Sequence, residues 1–238
     1  MFHVKPDIEN LIRQNGIQFE PSQFKRLEAY VDLLLDWNKK INLISRKDEE
    51  LIWTNHILLS LSFCFQFDFL KGSGVLDIGT GGGLPGIPLS ILYPNTSFLL
   101  VDSIRKKTQA VESMINALEL KNVSVVRSRA EALRSSSGFK PIDSVIARSV
   151  SSITNLISWS WPLLRWSDTT TLAPLSGRPP LPVPALISLK GGDITAELYE
   201  AKREHPDAAF SVIDLSFAGQ EFLLNQDKKL VVVRKKSL

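Results

Sequence analysis

The chain has 238 residues, a net charge of +3 and a pI near 8.9, enough length for a sizeable core and a charge that permits a polyanionic partner without requiring one. Cys64 is the only cysteine, which excludes an intrachain disulfide and a CxxC metal site. His3, His56 and His205 are far apart and show no paired-ligand spacing, so no metal is expected.

The opening "MFHVKPDIENLIRQ" lacks the apolar core of a signal peptide. The most apolar run, Ile57 to Leu70, is broken by Ser60, Ser62, Gln66 and Asp68 and is too short to span a bilayer. A cytoplasmic, monomeric protein with no membrane partner is the expectation. Residues 1–70 read as a helical extension. Phe24, Leu27, Tyr30, Val31, Leu34, Leu35 and Ile41 follow i, i+3, i+4, i+7 spacing, with Asn38 as the polar exception. Asn38 and Asn42 flank "KKI" and are expected to cap or brace this region. Ser45, three residues before Asp48, resembles a capping box and predicts a further helix toward Phe65.

From residue 71 the texture changes. Short β-branched runs appear in turn: "GVLDIG", "SFLLVDS", "VSVVRSR", "IDSVIARS", "ALISLKG", "FSVIDLSF" and "KLVVVRK". Helical patterns separate the first five, for example Ala110, Val111, Met114, Ala117 and Leu118. This alternation predicts an α/β domain over residues 71–238, with a largely parallel sheet covered on both faces. The last two runs have only a short link between them, which predicts an antiparallel hairpin at that edge. "SDTTTLAPLSGRPPLPVP", residues 167–184, holds five prolines and reads as an exposed loop.

"VLDIGTGGGLPGIPLS", residues 75–90, carries two nucleotide-binding glycine patterns at once. Read from Gly79 it is G-x-G-x-G, through Gly81 and Gly83; read from Gly81 it is G-x-G-x-x-G, ending at Gly86. Glycines at a strand-to-helix turn let the backbone bend and approach a ligand closely. Asp102 ends the next strand about 20 residues on, where a carboxylate accepts hydrogen bonds from ribose hydroxyls. NAD and S-adenosylmethionine both fit so far. Asp77, two residues before Gly79, favours the second. An acid there is unhelpful to a doubly anionic pyrophosphate but suits a ligand that carries an ammonium and a sulfonium.

The glycine turn, followed by "LVDSIRKKTQAV" and "VSVVRSRAEAL", resembles the ribosomal RNA small-subunit methyltransferase G family, also called glucose-inhibited division protein B. Upstream, "LLLDWNKKINLISRKDEELIWTNHILLSL" is similar to that family's N-terminal helical signature, and "IDSVIARSV" and "LISLKGG" to its later strands. The similarity runs from about residue 27 to 204. It implies a class I methyltransferase (Rossmann-like) fold with a mostly parallel seven-stranded sheet. It also implies transfer of a methyl group from S-adenosylmethionine to N7 of one guanosine in small-subunit (16S) rRNA, on the RNA itself or on the small ribosomal subunit. By the same resemblance Gly79 and Leu84 contact the cofactor, Ala130 and Glu131 lie by the adenine, and Arg148 serves the cofactor or the substrate. Two departures stand out. The family often has proline where Gly82 stands, a change expected to loosen the turn, and aspartate where Leu59 stands.

The residues agree with this chemistry. Guanine N7 has a free lone pair, so the reaction needs positioning more than a general base, and no base constellation is evident. The fourth strand ends "IARSV" rather than in an N-P-P-Y-like motif, and Cys64 lies in the helical part, where core packing is its expected role. Arg148, a charge ending an otherwise buried strand at the binding edge, has few structural reasons to exist. Arg105, Lys106 and Lys107 open a predicted helix and, with Arg46, Lys47, Lys39 and Lys40, form the candidate RNA surface. Arg127 and Arg129 are read as partners of Glu131 or as ligand contacts. His56 is read as structural, and Trp159, Trp161 and Trp166 as core residues, with stacking on bases as the alternative. The rival functions are an NAD-dependent oxidoreductase and a non-enzymatic RNA-binding protein on a methyltransferase fold.

Overall fold

The structure, a computed structural model, describes residues 7–136, 138–166, 178–224 and 227–236. His3 and residues 167–177 of the proline-rich stretch lie outside them. All seven predicted strands are present: β1 (Gly74–Ile78), β2 (Ser97–Asp102), β3 (Val123–Arg127), β4 (Ser144–Arg148), β5 (Ala185–Gly191), β6 (Ala208–Asp214) and β7 (Lys228–Lys235). They form one sheet of order β3-β2-β1-β4-β5-β7-β6. β1 is central and parallel to both neighbours, pairing Asp77 with Leu100 and with Ile146. The direction of strand progression reverses between β1 and β4, which opens a crevice at the carboxyl ends of the strands.

The hairpin of β6 and β7 is antiparallel, as expected, but the antiparallel strand is not at the edge. β7 lies one position in, hydrogen-bonded to β5 on one side and β6 on the other. Leu230, Val231, Val232 and Val233 are all buried. That unbroken apolar run suits a strand covered on both faces, and β6, with four of its seven residues exposed, takes the edge.

Two cores follow from the period-2 alternation of the strands. Leu76, Ile78, Val145, Ala147 and Leu186 join one cluster with α6 (Ile153–Ser160) and α7 (Thr195–Glu204). Val75, Phe98, Leu100, Ile146 and Ile187 join the other, shared with α4 (Gly86–Leu92) and α5 (Arg105–Ala117). The helical extension packs into this second cluster. It contributes α1 (Ile8–Gln14), α2 (Pro21–Asn38) and α3 (Leu59–Gln66).

Helix α2 reaches the glycine turn. Its buried stripe is Leu27, Tyr30, Val31, Leu34 and Asn38, the predicted face. Gln23 Nε2 donates to the carbonyls of Ile91 and Leu92 at the end of α4, at 2.7 and 3.2 Å. The Tyr30 hydroxyl donates to the Gly82 carbonyl at 2.9 Å in the interior. A Cβ at Gly82 would lie 2.8 Å from Leu34 Cδ1. Glycine therefore does not loosen this turn: its small size lets α2 press against it. Tyr30→Phe leaves that buried carbonyl unsatisfied and is expected to cost about 1–2 kcal/mol, read as a lower denaturant midpoint.

The helix predicted from Ser45 toward Phe65 is three pieces. Asn38 Oδ1 accepts from the amides of Leu43 and Ile44 at 2.8 and 3.0 Å and its Nδ2 donates to Glu49 Oε1 at 2.6 Å, which shapes the loop. Ser45 caps a short 3₁₀ turn, Arg46–Asp48. A π-helix, Ile52–Leu58, follows and runs into α3. Its widened turn carries Asn55 and His56 opposite Asp48 and the end of β4.

Candidate cofactor and substrate site

At the carboxyl end of β1 the chain turns with Gly79, Gly81 and Gly83 all at positive φ, +69°, +58° and +96°. Only glycine adopts these without strain. The turn is held from behind by Asp77, which is fully buried. Its Oδ2 accepts from the Thr80 hydroxyl at 2.7 Å and from the Gly86 amide at 3.0 Å, while Oδ1 has no partner. Gly86 opens α4, so a carboxylate already occupies the helix end where a pyrophosphate would sit. The turn is built against dinucleotide phosphate.

Burial raises the Asp77 carboxyl to about 7, with the bonds from Thr80 and Gly86 and the charge of Arg148 pulling the other way. A raised carboxyl contributes stability that is fully present below its ordinary value of 3.8 and is lost as pH rises through 7. Asp77→Asn is therefore expected to remove part of the decline in stability between pH 4 and 8, measured by urea denaturation across that range.

In front of the turn lies a cleft of about 270 Å³ whose walls include Gly79, Asp102, Ile104, Lys107, Ala130, Glu131, Val150 and Trp159. Asp102 ends β2 on its floor. Its Oδ2 accepts from the Gly81 amide at 3.0 Å and Oδ1 from the Ile104 amide at 2.9 Å, which leaves each oxygen further acceptor capacity toward the cleft. Arg129 stands 3.8 Å from Glu131 and also lines the cleft, so its geometry suits both readings given for it, ion pair and ligand contact.

Of the candidate residues, Gly79, Asp102, Ala130, Glu131 and Lys107 meet in this one cleft. Asp77, Gly81, Gly83 and Leu84 do not line it but form and brace the turn; the amides of Gly83 and Leu84 both donate to the Thr80 carbonyl at 2.9 Å. Ile104, Val150 and Trp159 were missed. Ile104 follows Asp102 almost directly and is 49% exposed, an apolar side chain left bare at the cleft. Trp159 packs against the core yet also lines the cleft.

Arg148 turns away from this cleft. Its Nη1 donates to the His56 carbonyl at 3.2 Å and the Ser60 hydroxyl at 3.4 Å, and Nη2 lies 2.8 Å from His56 Nδ1. A guanidinium only donates, so Nδ1 accepts and the His56 proton sits on Nε2. Burial and the Arg148 charge hold His56 neutral, lowering it to about 4. Nε2 is buried without a hydrogen-bond partner, 3.5 Å from Asp48 Oδ2. These groups line a second cleft of about 220 Å³ with Asn55, Leu59, Ser149 and Lys228. Ser149, at φ +56° without being glycine, separates Arg148 on the second cleft from Val150 on the first.

Arg46 and Lys47 are exposed and, with Lys39 and Lys40, border an open crevice of about 620 Å³. Arg105 and Lys106 are exposed at the start of α5, which has no side-chain cap. Cys64 is buried, its thiol donating to the Leu61 carbonyl and pushed up to about 12 by burial, consistent with packing. Among the described residues no cluster of His, Cys, Asp and Glu is placed to hold a metal, and no helix is long and apolar enough to cross a membrane.

A family model described as rRNA small subunit methyltransferase G matches residues 23–173. The ribosomal RNA small subunit methyltransferase G of Chlorobaculum tepidum is 38% identical over 230 residues, covering 95% of this chain and 96% of the relative. That of Chlorobium luteolum is 40% identical over 197 residues, 83% of this chain and 74% of the relative. Among solved structures, a ribosomal protein L11 methylase from Lactobacillus delbrueckii subsp. bulgaricus matches with a TM-score of 0.50 and 13% identity, over 79% of this chain and 80% of that one. At that identity the likeness is one of fold, and with the sheet order it makes this a class I methyltransferase fold.

Proposed function

The chain belongs to the rRNA small subunit methyltransferase G family, and from that membership we propose that its first cleft binds S-adenosylmethionine for N7-methylation of a guanosine in small-subunit rRNA. The observation that carries this reading is the glycine turn facing the Asp102 carboxylate, with the helix end behind it closed to phosphate by Asp77. The residues present suit the ligand. Gly79 lacks the Cβ that would collide with Val150 and push the cleft walls apart, and Asp102 has acceptor capacity for both ribose hydroxyls. Ile104 and Ala130 offer apolar walls to a flat ring, and Glu131 an acceptor for its amine. The unpartnered Asp77 oxygen adds negative character behind the turn, which favours a cationic ligand.

When bound, S-adenosylmethionine supplies an electrophilic methyl group on a sulfonium. The protein has no proton to remove from guanine N7, so its task is to hold two reactants in line and exclude water. Asp102, Glu131 and the turn fix one of them. The cations Arg46, Lys47, Arg105, Lys106 and Lys107 hold the RNA through phosphates, a contact that weakens with salt. On this reading the protein acts as a monomer where ribosomes are assembled. The oxidoreductase alternative loses its phosphate site to Asp77.

The test is transfer of a radiolabelled methyl group to deproteinised small-subunit rRNA and to intact small subunits, followed by nucleoside analysis. Label in 7-methylguanosine is the expected result, and the ratio between substrates shows whether the folded particle matters. Cofactor binding without label on either substrate would favour the non-enzymatic RNA-binding reading.

A further inference from the structure

We propose that the second cleft receives the target guanine, and that Asp48 selects it by the two donors of its Watson–Crick edge. The inference rests on the methyltransferase reading above and names the base pocket of that same site. Along its edge guanine presents, in order, the amino N–H, the N1–H and the O6 acceptor. The wall that reads the first two must accept twice in series.

The cleft presents that series. Asp48 offers two carboxylate oxygens; its side chain is 29% exposed and is steadied by Asn55 Nδ2, which donates to Oδ1 at 3.2 Å. His56 Nε2, buried and 3.5 Å from Oδ2, turns its proton toward that carboxylate. Nε2 carries the proton because Arg148 occupies Nδ1, so Arg148 is a positioning residue that fixes the tautomer. Adenine, with an acceptor at N1 and no amino group at C2, offers that carboxylate neither donor. Guanine bound by this edge leaves N7, on its other ring, free.

Placement agrees. Arg148 and Ser149 line this cleft and Val150, the next residue, lines the cofactor cleft, so the two share a thin wall at the carboxyl end of β4. Arg46 and Lys47 share the short 3₁₀ turn with Asp48, so phosphate-binding charge lies within one turn of that carboxylate, on the neighbouring open crevice. The volume of about 220 Å³ admits a single splayed base. Leu59 lies on the same wall, so Asp48 is the only carboxylate among the described residues that line it.

The experiment compares wild type, Asp48→Asn and Asp48→Glu on small subunits, then on subunits reconstituted with inosine at the guanosine that wild type labels. Asp48→Asn should lower kcat/KM about a hundredfold, with S-adenosylmethionine affinity by calorimetry unchanged. Inosine lacks the amino group; it should cost wild type about tenfold and cost Asp48→Asn little more. Asp48→Glu should recover part of the activity and the sensitivity to inosine. Full transfer by Asp48→Asn overturns the proposal, as does wild type using inosine as fast as guanosine. The second result does not depend on the variants folding. If wild type places no label in 7-methylguanosine, the methyltransferase reading falls and the proposal with it. Normal labelling without these effects overturns the pocket alone.

Discussion

Gly79→Ala is expected to weaken S-adenosylmethionine binding by about a hundredfold or more while the sheet stays folded. The position has φ +69°, where an L side chain costs about 1–2 kcal/mol. The added Cβ would also lie 2.7 Å from both γ-carbons of Val150, closer than carbon atoms pack. Val150 is β-branched and stiff at χ1, so it cannot swing away without moving its backbone. The clash is relieved only by a shift of the turn or of Val150, and both are walls of the cofactor cleft. At about 1.4 kcal/mol per factor of ten, the strain and the lost shape together account for the expected change. Calorimetric titration with S-adenosylmethionine checks it. Unchanged affinity would show that the turn is not part of the cofactor site, and Val150→Ala in the same chain should restore part of the binding.

Asp102→Ala should have an effect of similar size by another route. The carboxylate holds the Gly81 and Ile104 amides, and its remaining acceptor capacity faces the cleft. Removing it deletes the acceptor for ribose and frees the turn that shapes the cleft. Charge-assisted hydrogen bonds contribute about 1.5–3 kcal/mol each, so about a hundredfold loss of cofactor affinity is expected, with a lower Tm from the two abandoned amides. Asp102→Asn separates the contributions, because the amide oxygen still serves one partner. Its affinity should fall between wild type and Asp102→Ala. If Asp102→Ala binds S-adenosylmethionine as wild type does, the ribose assignment is removed.

These residues were legible because their signals are local. Seven runs of β-branched residues marked seven strands, and glycines beside Asp77 marked the turn. Asp102 was found by distance along the chain, since β2 must return beside β1 before its carboxylate meets the Gly81 amide. What escaped depends on partners remote in sequence. Val150 reaches the cleft from just past the end of β4 and Trp159 from α6, and an apolar residue gives no sign of whether it faces a core or a ligand. Arg148 was recognised as a buried charge with a task, but its direction was set by His56, which is 92 residues away. The π-helix has no distinct apolar period, so Ile52–Leu58 read as ordinary helix. The place of β7 inside the sheet was hidden for a related reason: a hairpin pattern shows that two strands pair, not which of them is outermost.

That insertion of β7 orders events during synthesis. The strand made last among those described is the one that joins β6 to the rest of the sheet, so β6 leaves the ribosome with no neighbour to pair with. The half that carries the glycine turn, β1 to β4, can assemble earlier, while β5 waits with an open edge. The Asn15 side chain and the backbone of Ala218 bond to each other across 203 positions, so the start of the fold also waits for nearly the whole polypeptide. Closure of such long loops is slow, and unpaired strand edges invite wrong partners in the meantime. For a protein of this family, the completed ribosome-modifying enzyme thus depends on a ribosome first finishing its final strand.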